Sequence, residues 1–245
     1  MDFWRAKQLR VTAFPKQPIP FASSTLWEEL EIGEPERQEK TKLHVTNQGA
    51  FCDHWLLVTN AGLRLDWNFL PNPAAELPGT SVDVGDFGDS AKNFVEFLSS
   101  WISKKCPPLS RLAFGAEVLH SVNERLEGYR ELSKFLPFQL DLQSQDFSYQ
   151  INRPRDSKAC GGLKVNRLTK WSVSATAVWQ GDLSQGLPNV GPISEMQGVE
   201  FANRLEMDIN NSAIEGRFIS GAEISALLAE FLEIAVEISI NGDKP

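Results

Sequence analysis

The chain has 245 residues, and 24 lysines and arginines against 32 aspartates and glutamates give it a formal net charge of −8. Its 42% apolar and 23% charged residues are the proportions of an ordinary globular protein with enough chain for a substantial core. The acidic balance argues against a nucleic-acid-binding protein, which needs a basic face, and no apolar run reaches the ~20 residues of a membrane span.

The cysteines point to a reducing compartment. Cys52, Cys106 and Cys160 are odd in number, lie far apart and form no C-x-x-C pair, so we expect them to be free thiols. The N-terminal residues also lack the apolar region of a signal peptide. We therefore expect a cytoplasmic protein without a membrane segment.

The first predicted elements are a strand, a charged loop and a helix. Residues Gln8–Phe14 alternate as in a strand, and Glu34–Lys42 has the composition of an exposed loop. Further along, large apolar residues recur at helical spacing after a cap at Asp89 or Ser90. This helix ends before Pro107-Pro108, which cannot continue it.

Between the loop and the helix, the sequence predicts a hairpin. Phe51–Thr59 and Leu63–Phe69 have the composition of strands, and Asn60-Ala61-Gly62 between them suits a three-residue turn. Such a turn fixes the register and thereby the face on which each side chain lies. The predicted pairs are Thr59 with Leu63, Leu57 with Leu65, and Trp55 with Trp67.

This predicted register gathers three polar side chains on one face of the hairpin: His54, Asp66 and Asn68. Cross-strand neighbours are ~5 Å apart and diagonal ones ~7–8 Å apart, so these side chains can meet. A carboxylate that orients an imidazole is a general-base arrangement. The three residues are therefore the catalytic candidates if the protein is an enzyme, and the alternative is a solvated hairpin face.

The C-terminal half contains the same kinds of element. In chain order we predict strands at Leu112–Val118, Phe138–Leu142, Phe147–Ile151, Trp171–Trp179 and Phe201–Ile209, with helices at Leu126–Phe135 and from Ser220 onward. Short loops join the strands, and no regular βαβ alternation is visible. The prediction is a single α+β domain over residues 1–245: an antiparallel sheet with amphipathic helices packed on one face.

Two hexapeptides suggest an internal duplication. Leu63–Asn68 and Leu205–Asn210 both read Leu-x-apolar-Asp-apolar-Asn, and each precedes a loop and a long helix. One interpretation is two related halves, about 1–120 and 121–245, in which Asp208 and Asn210 correspond to Asp66 and Asn68. The other is that Asp and Asn are simply common at strand ends.

The remaining candidates concern binding. Trp4 lies beside a charged N-terminus outside any periodic pattern, so it is a candidate anchor for a partner, together with Asp208 and Asn210; the alternative is that Trp4 packs back on the sheet. Glu117 and His120 form a single E-x-x-H motif, whereas di-iron bundles need the motif twice. We predict no metal site and no cofactor.

The chain resembles a sporadically distributed, functionally uncharacterised family of bacterial proteins of similar length. The features that carry this resemblance are Leu63–Asp66 after a tryptophan strand, Leu109–Gly115 after the proline pair, and Leu205–Asn210 before a terminal helix. The resemblance implies no activity and supplies no catalytic residues. The patchy distribution of the family suits an accessory or defence-system component.

Two functions stay open at this level. The first is a non-catalytic module that binds a protein partner or forms a homo-oligomer, because the sequence lacks recognised catalytic motifs and is rich in aromatic residues. The second is a hydrolase-like enzyme of unrecognised family that uses His54, Asp66 and Asn68.

Overall fold

The computed structural model describes residues 4–21, 26–73, 82–177 and 199–243. These residues form one ten-stranded sheet, three α-helices and a short 3-10 helix at Glu28–Leu30. The strands are β1 (Arg5–Pro15), β2 (Arg37–Lys40), β3 (Val45–Phe51), β4 (His54–Asn60), β5 (Leu65–Leu70), β6 (Leu109–Val122), β7 (Ser148–Asn152), β8 (Arg155–Asp156), β9 (Lys164–Ala177) and β10 (Val199–Asn211). The helices are α1 (Phe87–Lys105), α2 (Arg125–Leu132) and α3 (Ala222–Asn241).

The sheet is antiparallel throughout its named pairings, with the strand order β2-β3-β4-β5-β1-β6-β10-β9-β7 and with β8 also on β9. The N-terminal strand β1 therefore lies at the centre, beside β6. Antiparallel strands plus helices without βαβ units confirm the predicted α+β class. Among the described residues, no helix has both the length and the apolar character needed to cross a membrane.

One face of the sheet is apolar. Residues that lie directly opposite each other in antiparallel strands project to the same face. A row through the four central strands shows this, because all of its side chains are fully buried: Trp67, Val11, Phe114 and Ile209. Burial of such large side chains contributes about 1.5–3 kcal/mol each to folding.

Aromatic side chains connect α1 to this apolar face. Its Trp101 ring lies 5.3 Å from the ring of Trp67, and Phe94 stacks on Phe69 at 5.6 Å. The helix starts one turn earlier than predicted, because the side chain of Asp86 accepts a hydrogen bond from the backbone N–H of Asp89. Asp86 is thus the N-cap, in place of Asp89 or Ser90.

The predicted hairpin forms, but its register is wrong. Thr59 lies opposite Asp66, three residues beyond the predicted partner Leu63. A shift by an odd number of residues moves one strand's side chains to the other face. Trp67 therefore lies on the buried face with Val58, whereas Trp55 projects from the opposite face.

A second turn, before this hairpin, was not predicted. Phe51–Thr59 is not one strand, because Cys52 and Asp53 both adopt positive φ values (48° and 62°) and reverse the chain between β3 and β4. Two-residue hairpin turns of this kind usually carry Asn-Gly or Asp-Gly, so Cys-Asp gives no signal in the sequence. The charged stretch Glu34–Lys42 likewise contains a strand, β2, where a loop was expected.

Most of the other elements occur where the periodicity predicted them. The exception is Phe138–Leu142, which forms turns and irregular structure where a strand was expected. The predicted strand at Trp171–Trp179 corresponds to β9, and Trp179 itself lies outside the described residues. The last helix has Gly221 at its N-cap position, without a side-chain hydrogen bond, where a Ser220 cap was expected.

Candidate functional site

The face opposite the apolar row is polar and carries a groove. The central row of this face consists of Asn68, Arg10, Gly115 and Asp208, one from each of β5, β1, β6 and β10. The groove has a volume of about 420 Å³ and extends over β9 to Gln150 on β7. This volume lies within the ~300–1,000 Å³ typical of ligand sites, although such sites are usually more apolar.

The centre of the groove is an arginine that lies across a glycine. Gly115 has no side chain, and a β-carbon at this position would lie only 3.2 Å from Nη2 of Arg10. The guanidinium therefore reaches over β6 towards Asp208, with Nη2 at 3.6 Å from the carboxylate oxygen. Both side chains are about one-third exposed (35% each).

Arg10 retains unused hydrogen-bonding capacity. A guanidinium has five N–H donors; the Nε of Arg10 is buried without a hydrogen-bond partner within the described part of the chain, so a ligand can approach only the Nη groups. The contact with Asp208, at 3.6 Å, is too long for a strong hydrogen bond. Asp208 meanwhile accepts a hydrogen bond of 2.8 Å from the Asn210 amide. The arrangement leaves Arg10 as the least neutralised group in the groove.

Ion pairs engage the other charged side chains of the groove. Glu117 lies 2.9 Å from Nε of Arg204 and 3.2 Å from Nζ of Lys7. Glu206 lies 3.1 Å from Nζ of Lys170 and 3.4 Å from Nη2 of Arg204. Since each carboxylate already contacts two cations, these groups mainly fix the walls of the groove.

The ion-paired cluster has an excess of positive charge. Its cations are Lys7, Arg10, Lys170 and Arg204, and its carboxylates are Glu117, Glu206 and Asp208. Four cations against three carboxylates is the opposite of the whole chain, whose net charge is −8. Lys7 and Arg204 lie beside the groove and not in its lining, where Arg10 and Lys170 are the cations, so an anionic group of a binding partner would be attracted to these two residues.

The structure does not bring His54 together with Asp66 and Asn68. The observed register places His54 on the apolar side of the sheet, where its ring contacts that of Phe69 edge-on, with 5.2 Å between ring centres. Asp66 and Asn68 project to the polar face. The imidazole and the carboxylate thus lie on opposite sides of the sheet, and the general-base arrangement is not formed.

Asp66 and Asn68 have structural partners of their own. Asp66 is 7% exposed, accepts a hydrogen bond of 2.6 Å from the Thr12 hydroxyl and pairs with Arg64 at 2.7 Å. Asn68 accepts a hydrogen bond of 3.1 Å from the Gln8 amide. Both side chains tie β5 to its neighbours on the polar face.

The three binding candidates occupy different environments. Asp208 lines the groove, and Asn210 is buried beside it, where it also accepts a hydrogen bond from Asn166. Trp4, in contrast, is 3% exposed, and its Nε1 donates to the Ser239 carbonyl of α3. Trp4 is part of the core and is not available as a surface anchor, because its N–H is satisfied by the chain itself.

The E-x-x-H motif is not helical. Glu117 and His120 lie on β6, and residues three apart on a strand project to opposite faces. Within the described ranges, no group of three histidine, cysteine, aspartate or glutamate side chains is placed to hold a metal ion.

Sequence reasoning missed Arg10 and Gly115 as groove residues. The alternation of β1 and β10 was visible and did separate the polar side chains from the apolar ones. The strand order was not visible, because β1 and β6 are about a hundred residues apart in the chain. Comparison with known proteins adds no candidate, since no protein-family model and no curated protein matches the chain.

Proposed function

We propose that this protein is a non-catalytic protein-interaction module, which binds an acidic segment of a partner in the groove of its polar sheet face. The observation that carries this proposal is the guanidinium of Arg10 over Gly115, which is about one-third exposed and whose ion pair among the described residues is the long 3.6 Å contact with Asp208. A carboxylate can accept two parallel hydrogen bonds from such a group. The ion pairs that Lys7 and Arg204 make from beside the groove neutralise Glu117 and Glu206 and so support the same partner chemistry.

The geometry gives less support to the enzyme alternative. That hypothesis requires His54 next to Asp66, and these two residues lie on opposite faces of the sheet. The groove itself contains amides and ion-paired charges, and none of its side chains is a hydroxyl or thiol nucleophile. A binding role needs only the charges and the shape that the groove presents.

We also propose that the fold derives from two related halves, with the helices on the apolar face. The strand order supports this, because a twofold axis between β1 and β6 would exchange β5 with β10 and β4 with β9. The repeated hexapeptides fit an axis through the opposed pair Val11 and Phe114.

The positions of the two repeated aspartates are consistent with this axis. Asp66 lies opposite Thr12, the residue after Val11, and Asp208 lies opposite Gly115, the residue after Phe114. The two aspartates therefore hold equivalent positions. On this proposal β6 begins the second half, so the boundary falls at the proline pair before it, and the predicted halves at about 1–120 and 121–245 shift accordingly. We also keep two earlier expectations as proposals: that the chain resembles a sporadically distributed bacterial family, and that the protein has an accessory role.

Peptide binding tests the proposed function. Fluorescently labelled peptides of equal length with acidic, basic or uncharged side chains are titrated with the protein, and anisotropy is measured at low and high salt. We expect the acidic peptides to bind, with affinity that falls as salt rises. Arg10→Ala should weaken binding about tenfold or more, as expected for a charge-assisted bidentate contact.

The matched control removes the same charge elsewhere on the molecule. Arg37 on β2 is exposed and has no ion pair within 4 Å among the described residues, so Arg37→Ala should bind as wild type does. Gly115→Val fills the space under the guanidinium and should act like Arg10→Ala. The proposal is wrong if no acidic peptide binds, or if Arg10→Ala and Arg37→Ala have equal effects.

A further inference from the structure

The two edges of the sheet differ in chemistry. Edge strands expose unpaired backbone groups, and proteins usually protect them with charges or proline. The β2 edge follows this rule, since three of its four residues are charged: Arg37, Glu39 and Lys40. Strand β7 itself (Ser148–Asn152) has neither a charged residue nor a proline; these come only after it, at Arg153, Pro154 and the short β8 on the same side of β9. Among the described strands at the edges of the sheet, β7 is therefore the less protected one.

The backbone of β7 has free groups on its outer side. The N–H of Arg153 donates to the carbonyl of Arg167, towards β9. Inward and outward groups alternate along an antiparallel strand, so Ser148, Gln150 and Asn152 direct their N–H and C=O groups outward. Among the described residues, none of these outward groups has a backbone partner on that side. All three residues are exposed.

We propose that two copies of this chain pair antiparallel through β7, with Gln150 opposite Gln150 of the second copy. In this register the outward-facing residues form hydrogen-bonded pairs, each of which exchanges two backbone hydrogen bonds. Tyr149 lies opposite Ile151 of the second copy, which is a favourable aromatic–aliphatic pair, and Ser148 lies opposite Asn152. No like charges oppose each other anywhere along the strand.

The strand is held in a fixed position for such pairing. The Tyr149 hydroxyl donates to Asp243 at 2.8 Å, and Arg153 makes a bidentate contact with the same carboxylate at 2.7 and 3.2 Å. Asp243 is itself 5% exposed. These contacts fix both ends of β7, so little backbone order has to be gained on dimerisation.

The dimer would also connect the two grooves. Gln150 lines the end of the groove on the polar face, and the twofold axis would pass beside it. Each groove would then continue into that of the second copy. The pairing does not depend on the proposed function, because it rests on the strand edge and not on Arg10.

Sedimentation velocity over a concentration series provides the test. We expect wild type to approach twice the 27.4 kDa of the monomer as concentration rises. Gln150→Pro removes an outward N–H and should leave a monomer, while the β9 pairing on the inner side is kept. The matched control is Lys40→Pro on the β2 edge, which should dimerise as wild type does. Circular dichroism verifies that both variants are folded.

A charge exchange identifies the residue on the twofold axis. Gln150→Lys and Gln150→Glu each place like charges opposite each other, so each alone should dimerise about tenfold more weakly. Their mixture should form a heterodimer, because the charges are then opposite. The proposal is overturned if wild type stays monomeric, if folded Gln150→Pro still dimerises, or if the mixture dimerises no better than the separate variants.

Discussion

The two long helices, α1 and α3, contact each other and both bury apolar side chains in the core, but the contacts added to this burial differ in chemistry. Aromatic rings hold α1: Trp101 packs on Trp67, Phe94 stacks on Phe69, and Phe97 lies 4.3 Å from Phe51 between ring centres. These contacts are made by the sheet face itself. The ring contacts themselves involve no ionisable group, and Nε1 of Trp101 also donates to the Glu29 carboxylate at 2.8 Å.

Buried carboxylates and chain ends secure α3. Its Glu230 accepts hydrogen bonds from the Ser157 hydroxyl and from the backbone N–H groups of Lys158 and Ala159, in the loop between β8 and β9. Just beyond the helix, Asp243 binds Tyr149 and Arg153. The attachment of α3 therefore combines a buried apolar stripe with ionised groups, whereas that of α1 relies on apolar and ring packing. The two regions should respond differently to truncation and to acid.

The largest effect is expected for the aromatic attachment. Trp67→Ala removes a fully buried ring from beneath α1 and should lower the free energy of unfolding by ~3–5 kcal/mol. Trp55→Ala is the matched control, because Trp55 is half-buried on the other face and should cost far less. Urea unfolding followed by circular dichroism measures both. Equal losses would contradict the register described above.

Acid should weaken the α3 attachment selectively. Burial raises the pKa of Glu230, but the hydrogen bonds from Ser157, Lys158 and Ala159 outweigh it and hold that pKa below its usual value. A carboxylate with a lowered pKa in the folded state stabilises the protein above the unfolded pKa of ~4.3, and this contribution is lost as pH falls through the folded value. Glu230→Gln should lower the free energy of unfolding by about 1–2 kcal/mol at neutral pH. In this variant the free energy of unfolding should also fall less steeply as the pH is lowered. Thermal unfolding from pH 7 to pH 3 would show a steep, unchanged acid loss if Glu230 were irrelevant.

Thiol labelling separates the two attachments locally. Cys106 follows α1, and burial raises its pKa to about 12, while Cys160 is buried in the loop that Glu230 holds, with its pKa raised by burial and by Glu223. At pH 8 the exposed Cys52 should react first with a disulfide reagent. Glu230→Gln should speed the labelling of Cys160 severalfold and leave Cys106 unchanged. Mass spectrometry of labelled peptides resolves the three sites, and a parallel increase at Cys106 would mean global unfolding.

The smallest effect is expected at His54. Its ring contacts Phe69 at the border of the aromatic cluster, and His54→Ala should cost only about 0.5–1 kcal/mol. Binding of acidic peptides should be unaffected, because the side chain lies on the face opposite Arg10. A loss of peptide binding without a loss of stability would return His54 to the list of functional candidates.

The hairpin shows how far the sequence could be interpreted. Its two strands were predictable from composition, because β-branched and aromatic residues cluster there. The register was not, since the pair that closes the hairpin, Asn60 with Leu65, encloses a longer loop than the predicted three-residue turn Asn60-Ala61-Gly62. Because the observed register differs from the predicted one by three residues, His54 and Asp66 lie on opposite faces of the sheet and not on the same face. The proposed catalytic cluster depended wholly on that local choice.

The groove could not be predicted from the sequence, for a different reason. Arg10, Gly115 and Asp208 lie on three strands whose adjacency follows from long-range pairing, and no local pattern encodes it. Asp208 was singled out because of the repeated hexapeptide, without knowledge of its neighbours. Gly115 carries no periodic signal, since its contribution is the side chain that it lacks.

Alternation along the central strands has a consequence for how this protein can change over time. In β1 after the bulge that follows Ala6, even-numbered residues project to the polar face and odd-numbered residues face the core, so recognition and folding are encoded in interleaved positions. Substitutions at Gln8 or Arg10 can alter what the groove accepts while Leu9 and Val11 keep the sheet intact. A saturation scan of this strand would show tolerance oscillating with a period of two, and a new specificity could arise without passing through an unstable intermediate.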